Sequence, residues 1–193
     1  MLGTSKDIKN PGLNILPPGV ERHVVNGGAL TAFQIFPDDE LEIINNEGNQ
    51  ICEIICFNKD GKSDAGILNL KTNNDKNFIR SILNGKDETI LATNHQLKKR
   101  NLNISDSKSS IIFDLDTKAG ESFKLKSKDK CYAIFAAPSE DMDVTNQNPP
   151  SDLTIFIKRS QIVNDKELNV IPDPVFEPLY EENINKETSI SYQ

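Results

Sequence analysis

The chain has 193 residues, 36% of them hydrophobic, a length that suits one domain, or one domain with a tail, able to bury a core without disulfides or metal. Its 22 basic residues stand against 29 acidic ones, a net charge of −7. That balance argues against nucleic-acid or general phosphate binding, which needs clustered Lys and Arg, and the cluster Lys98-Lys99-Arg100 reads as a solvated helix end.

Residues 1–28 read as an extended lead-in on the domain surface, punctuated by the turn formers Asn10-Pro11-Gly12 and Pro17-Pro18-Gly19. A strand is expected over Ala29–Phe36, broken by Pro37-Asp38-Asp39. Glu40–Ile44 alternates polar and apolar residues, the period of a half-buried strand. Asn45-Asn46-Glu47-Gly48 then reads as a hairpin turn into a strand over Gln50–Phe57, closed by the turn Asn58–Gly61. A helix through Phe78, Ile79, Ile82 and Leu83 follows, capped by Asn74 or Asp75 and stopped by Gly85. Segment 88–104 is ambiguous between strand and loop. Further strands fall at Ser110–Phe113, Gly120–Leu125, Cys131–Ala137 and Leu153–Ile157.

The pair of strands around 40–54 is echoed by the pair around 120–134, and two such hairpins packed face to face make a sandwich or barrel. The expected fold is mainly β: a two-sheet sandwich or barrel-like domain over 29–171 with one or two short helices. Residues 172–193, with Pro172, Pro174 and Pro178, read as a Pro-rich acidic linker or tail.

Met1–Lys6 has no apolar run for a secretory signal or anchor, and no stretch nears the ~18 apolar residues of a membrane span. Three cysteines, Cys52, Cys56 and Cys131, fit a reducing compartment, so a cytoplasmic protein with no membrane partner is expected. Cys52 and Cys56 share a strand face but sit about 13 Å apart at ~3.3 Å per residue, too far for one zinc, so they read as core thiols. His23 and His95 have no metal-spaced neighbours and read as surface or loop residues. No metal, cofactor or catalytic residue is assigned.

The candidate ligand contacts are Gln50 and Glu53 near the Gly48-Asn49-Gln50 connection, Glu140 and Asp141 after the apolar 131–137 strand, and Asp152 after Asn148-Pro149-Pro150-Ser151. Polar groups on loops at strand ends are where sites form. A plain sugar- or amine-binding role for the Gln50 face is one expectation.

Three strings carry a resemblance: Gly48–Glu53 with Phe57-Asn58, Phe135–Met142, and Gln147–Thr154. On these the chain resembles the urea-carboxylase-associated family, in the version found in front of glycine-cleavage T-protein-like aminomethyltransferases, from about Lys6 to the end. The resemblance implies an accessory domain that binds a small amine, or a partner, without being catalytic alone. The partner is a T-protein-like aminomethyltransferase domain or a second copy of the same domain. Ser189–Tyr192 resembles the place where fused members enter that second copy, and the resemblance thereby implies a natural or truncated N-terminal piece. Relatives acting on carboxyguanidine- or urea-like compounds use Cys and His ligands, and no His-x-x-Cys segment follows Asn58 here. The alternative is a hydrolase of that type with Glu53, Glu140 or Asp152 as acid and base.

Overall fold

A computed structural model describes residues 16–72, 77–86, 88–139 and 149–160. Its strands are β1 (Val20–Val25), β2 (Leu30–Ile35), β3 (Glu40–Asn45), β4 (Cys52–Phe57), β5 (Ser110–Phe113), β6 (Glu121–Lys126), β7 (Cys131–Ala136) and β8 (Leu153–Lys158). Helices α1 (Phe78–Leu83) and α2 (Glu88–Lys99) lie between β4 and β5. The first antiparallel sheet has the order β1-β8-β3-β6 and the second β2-β7-β4-β5. The expected two-sheet sandwich is what forms. Apart from the step from β4 to β5, successive strands alternate between sheets, the jelly-roll pattern.

That alternation corrects the expected hairpins. β3 and β4 are in different sheets, and so are β6 and β7. Each pair is therefore an arch across the sandwich. The sequence echo has a structural counterpart, because β3 pairs with β6 and β4 with β7, stacking the two arches. Gly48 (φ 79°) and Asn49 (φ 54°) are consecutive left-handed residues that swing the chain from one sheet to the other. A Cβ on Gly48 would lie 2.6 Å from the Ala119 backbone nitrogen, so the β3–β4 arch touches the β5–β6 connection there.

Strand alternation sends one face of each sheet into a shared core. Val25, Leu41, Ile43, Leu125, Ile155 and Ile157 meet Ile35, Cys52, Ile54, Cys56, Phe113 and Phe135 between the sheets. Each such aliphatic or aromatic side chain contributes about 1.5–3 kcal/mol when fully buried. The opposite face of the second sheet carries Ala32, Ile55, Phe57, Ile134 and Ala136, and it is covered by Ile79 and Leu83 of α1, Leu97 of α2 and Leu102. The molecule thus has three layers: first sheet, second sheet, helices.

Within the segment read as a lead-in, Val20–Val25 is ordered as the edge strand β1, paired with β8 from Val20↔Lys158 to Val25↔Leu153. The apolar pattern of α1 forms as read, but its cap is Asn77, whose Oδ1 accepts from Arg80 N at 2.9 Å; Asn74 and Asp75 lie outside the described residues. Segment 88–104, ambiguous in sequence, is mainly α2. Its buried stripe is Ala92, Thr93, Gln96 and Leu97, two of them polar, so the helical signature is faint. Lys98 and Lys99 occupy its last turn, where cations oppose the helix dipole. Asn101 (φ 56°) ends it, with Leu102 N bonded to Leu97 O and Asn101 N to Lys98 O.

Candidate functional site

Four connections gather at one end of the sandwich: β1–β2, β3–β4, β5–β6 and β7–β8. They are stitched by Gly28 N to Ala137 O (2.7 Å), Asn49 N to Thr117 O (2.8 Å) and Gly120 N to Asn45 O (2.7 Å). At the centre sits Gln50, which is 3% exposed. Its Nε2 donates to Ile51 O (3.0 Å) and Pro138 O (2.9 Å), and its Oε1 accepts from Ser151 N (2.7 Å). One amide thus holds the entry to β4 and both flanks of the β7–β8 connection.

Asp152 belongs to the same cluster. Its Oδ1 accepts from Gly27 N at 2.9 Å, and its carbonyl accepts from Asn46 Nδ2 at 3.0 Å. Gly27 is required sterically, since a Cβ there would lie 2.5 Å from Pro150 O. Asn45 completes the group by donating from Nδ2 to Gln50 O at 2.8 Å. Beside Gln50, Asn45 Oδ1 and Ser151 Oγ are buried with no hydrogen-bond partner among the described residues.

Glu53 is brought elsewhere. It is fully buried on the helix-facing side of β4, and its Oε2 accepts from Ile79 N at 2.6 Å. A carboxylate on the first turn of α1 takes up an amide that the helix cannot satisfy itself. Of the sequence candidates, then, Gln50 and Asp152 converge, and Glu53 faces a different layer. Glu140 and Asp141 lie outside the described residues.

A charged network at the other end was not read from the sequence. Arg159, with 5% of its side chain exposed, grips Glu21 with two bonds, Nε to Oε1 (2.7 Å) and Nη2 to Oε2 (2.9 Å). Its Nη1 donates to Asp39 Oδ2 (2.8 Å) and to Gln34 O (2.9 Å). Asp39 is fully buried and also accepts from Phe36 N and Ser160 N. His23 Nε2 donates to Glu21 Oε2 at 2.9 Å, and its ring lies 4.4 Å from that of Phe33. Burial alone would raise the Glu21 pKa, but the His23 and Arg159 hydrogen bonds and charges prevail and lower it from 4.5 to about 2. These partners lie 120 and 138 residues from Arg159, so no local pattern announces them. The turn Pro37-Asp38-Asp39 was the one available signal.

The three thiols are free and buried on the inter-sheet face. Burial, with Glu53 adding, pushes Cys52 up, and a hydrogen bond to Cys131, then burial, pushes Cys56 up. Among the described residues no three His, Cys, Asp or Glu side chains are grouped to hold a metal. An open cleft of about 390 Å³ lies beside the short 3-10 turn Ala65–Leu68, lined by Ser63, Asp64, Lys71 and Lys108 among others; none of Gln50, Glu53 or Asp152 lines it. Among the described residues no helix is long and apolar enough to cross a membrane.

No family model matches the chain. It is similar to the trimethylamine-oxide aldolase of Ruegeria pomeroyi, at 29% identity over 185 residues. The match takes in 96% of this chain and 23% of that protein. The chain therefore spans about a quarter of the relative it matches.

Proposed function

We propose that this chain is an accessory domain of a small-amine enzyme: it docks on a catalytic partner, or helps present the amine to it, and does not turn over substrate alone. The observation that carries this is the extent of the match to trimethylamine-oxide aldolase, nearly the whole of this chain against under a quarter of that protein. The role of the loop cluster supports the reading, because Gln50 and the Asp152 Oδ1 are engaged with backbone groups of their own fold. Our finer reading is an urea-carboxylase-associated domain whose partner is a T-protein-like aminomethyltransferase or a second copy of the domain. Gln50 and Asp152 then belong to the contact end, with Glu53 holding α1 against the sheet behind it; Glu140 and Asp141, between β7 and β8 in the sequence, are further candidates for the contact. A β-arch end with four tied connections is a rigid platform for such a contact.

The test replaces the matching segment of the aldolase with this chain and follows conversion of trimethylamine N-oxide. Activity in the chimera, and none with this chain alone, is the expected pair of results. Steady turnover by the isolated chain would overturn the reading.

A further inference from the structure

The two sheets differ in what covers them. The second sheet is roofed by α1 and α2, whereas the outer face of the first has no corresponding layer among the described residues. The pairing registers lay that outer face out as three cross-strand rows: Val20-Lys158-Glu40-Lys126, Arg22-Phe156-Glu42-Lys124 and Val24-Thr154-Ile44-Ser122. Solvated sheet faces are ordinarily polar. Here Val24 is 39% exposed, and Val20, Ile44 and Phe156 are half-buried, so an apolar strip runs through the face. Around it stand Arg22, Lys124, Lys126 and Lys158 against Glu40, Glu42 and Asp38, a small positive excess on a chain whose net charge is −7. The pairs Lys126–Asp38 (2.9 Å), Lys158–Glu40 (3.2 Å) and Lys124–Glu42 (3.6 Å) are exposed and hold these cations weakly.

We propose that this face is a docking surface for the chain's own residues 161–193. That goes beyond the accessory role. The segment carries seven acidic residues against two basic ones, and apolar residues are set among the acids: Val175-Phe176 and Leu179-Tyr180 between Asp173, Glu177, Glu181 and Glu182. It matches the face in both charge and apolar content. Its origin is also suitable. Ser160 lies two residues past β8, an inner strand of this sheet, beside the row containing Lys158 and Lys126. The exit is pinned there by Ser160 N to Asp39 Oδ1 (2.8 Å) and Ser160 Oγ to Pro37 O (2.6 Å). The 33 residues reach up to about 100 Å at ~3.3 Å each. A sheet of four six-residue strands is only about 20 Å long and 15 Å wide. A second copy fits less well. A twofold axis along the strands through the centre of the face sets Arg22 over Lys124, and one across them sets Arg22 over itself.

The test uses the full chain. Carbodiimide coupling joins an ammonium to a carboxylate in contact, and peptide mapping of the monomer then locates the pairs. Links from Lys124, Lys126 or Lys158 to acids of 161–193 are expected. They should fall about fivefold at ~1 M salt, where the Debye length is ~3 Å, and likewise in the triple variant Glu177→Lys, Glu181→Lys, Glu182→Lys. In that variant the Val24 and Ile44 methyl signals should move, with Leu91 on α2 and the core residue Leu68 unchanged as controls for position and fold. Unmoved Val24 and Ile44 signals would overturn the proposal. So would coupling confined to covalent dimers, which would assign the face to a second copy.

Discussion

Replacing Arg159 with Met should remove a large part of the stability of this sandwich. The guanidinium is 95% enclosed, since only 5% of its side chain is exposed, and it makes four hydrogen bonds, to Glu21, Asp39 and the Gln34 carbonyl. Met fills much of the volume but leaves the Asp39 carboxyl group fully buried with only the Phe36 and Ser160 amides for company. Breaking a buried pair in this way costs about 3–5 kcal/mol. The two remaining amide bonds, and the partial exposure of Glu21, favour the lower figure, about 3 kcal/mol. With a urea slope of about 1–3 kcal/mol per molar, the midpoint should fall by roughly 1–3 M at pH 7. Arg159→Lys should recover only part of it, because an ammonium cannot grip both Glu21 oxygens and Asp39 in one plane. Asp39→Asn in the Arg159→Met background should restore more by removing the stranded carboxyl group. The network also has a pH signature. Glu21 is held at about 2 against an ordinary 4.5, so its contribution is complete above about pH 4.5 and drains away as the pH falls toward 2. Partial solvation limits that contribution to about 1–2 kcal/mol. The acid limb of the stability curve between pH 4.5 and 2 should therefore flatten in Arg159→Met. A midpoint shift below about 0.3 M, or an unchanged acid limb, would refute the account.

Three more outcomes follow from the same contacts. Cys52 and Cys56, buried and shifted upward, should resist a thiol reagent at pH 8 until the protein unfolds, so labelling should track the urea transition; labelling of either in the native state at a model-thiol rate would contradict their placement. Gln50→Leu leaves the Ser151 amide and the Pro138 carbonyl without their partner and should cost about 2–3 kcal/mol, while Gly27→Ala, which forces Pro150 away, should loosen the same connection, seen as faster amide exchange at Gly27, Gln50 and Ser151. Glu53→Ala strands the Ile79 amide and should cost about 2 kcal/mol, with protection lost first in Phe78–Leu83 and the sandwich strands kept.

The fold was largely legible because its signals were local. Alternation in Glu40–Ile44, the apolar run of Cys131–Ala137 and the face shared by Phe78, Ile79, Ile82 and Leu83 each report one element's own burial. The failures were of two kinds. Asn45–Gln50 reads like a hairpin because Asn and Gly suit any left-handed turn; whether the chain then pairs with itself or crosses to another sheet depends on β6 and β8, more than 70 residues away. In α2 the burial is shared by Thr93 and Gln96, which satisfy the packing of a helix layer without looking apolar. The edge strand β1 shows the same limit. Glu21 and His23 face inward and are accommodated only because Arg159 and Phe33 meet them.

The candidate site was harder for a related reason. Arches that cross between sheets leave backbone groups at strand ends outside the ladder pairing, and those groups need side-chain partners. Gln, Asn and Asp beside turns are the residues that supply them, and they are equally the residues expected to touch a ligand. Sequence position alone cannot separate the two roles; the partners decide, and for Gln50 and Asp152 these lie 88, 101 and 125 residues away. The same logic directs attention to the atoms that the described fold leaves over. Asn45 Oδ1 and Ser151 Oγ flank the Gln50 clamp, and a buried acceptor without a donor costs about 1–3 kcal/mol. A donor at that spot, whether an ordered water or an N–H from a docked group, gains that amount. The arch end around Gln50 is therefore where binding should be sought first, ahead of the cleft by Lys71 and Lys108, whose polar groups stand open to solvent already.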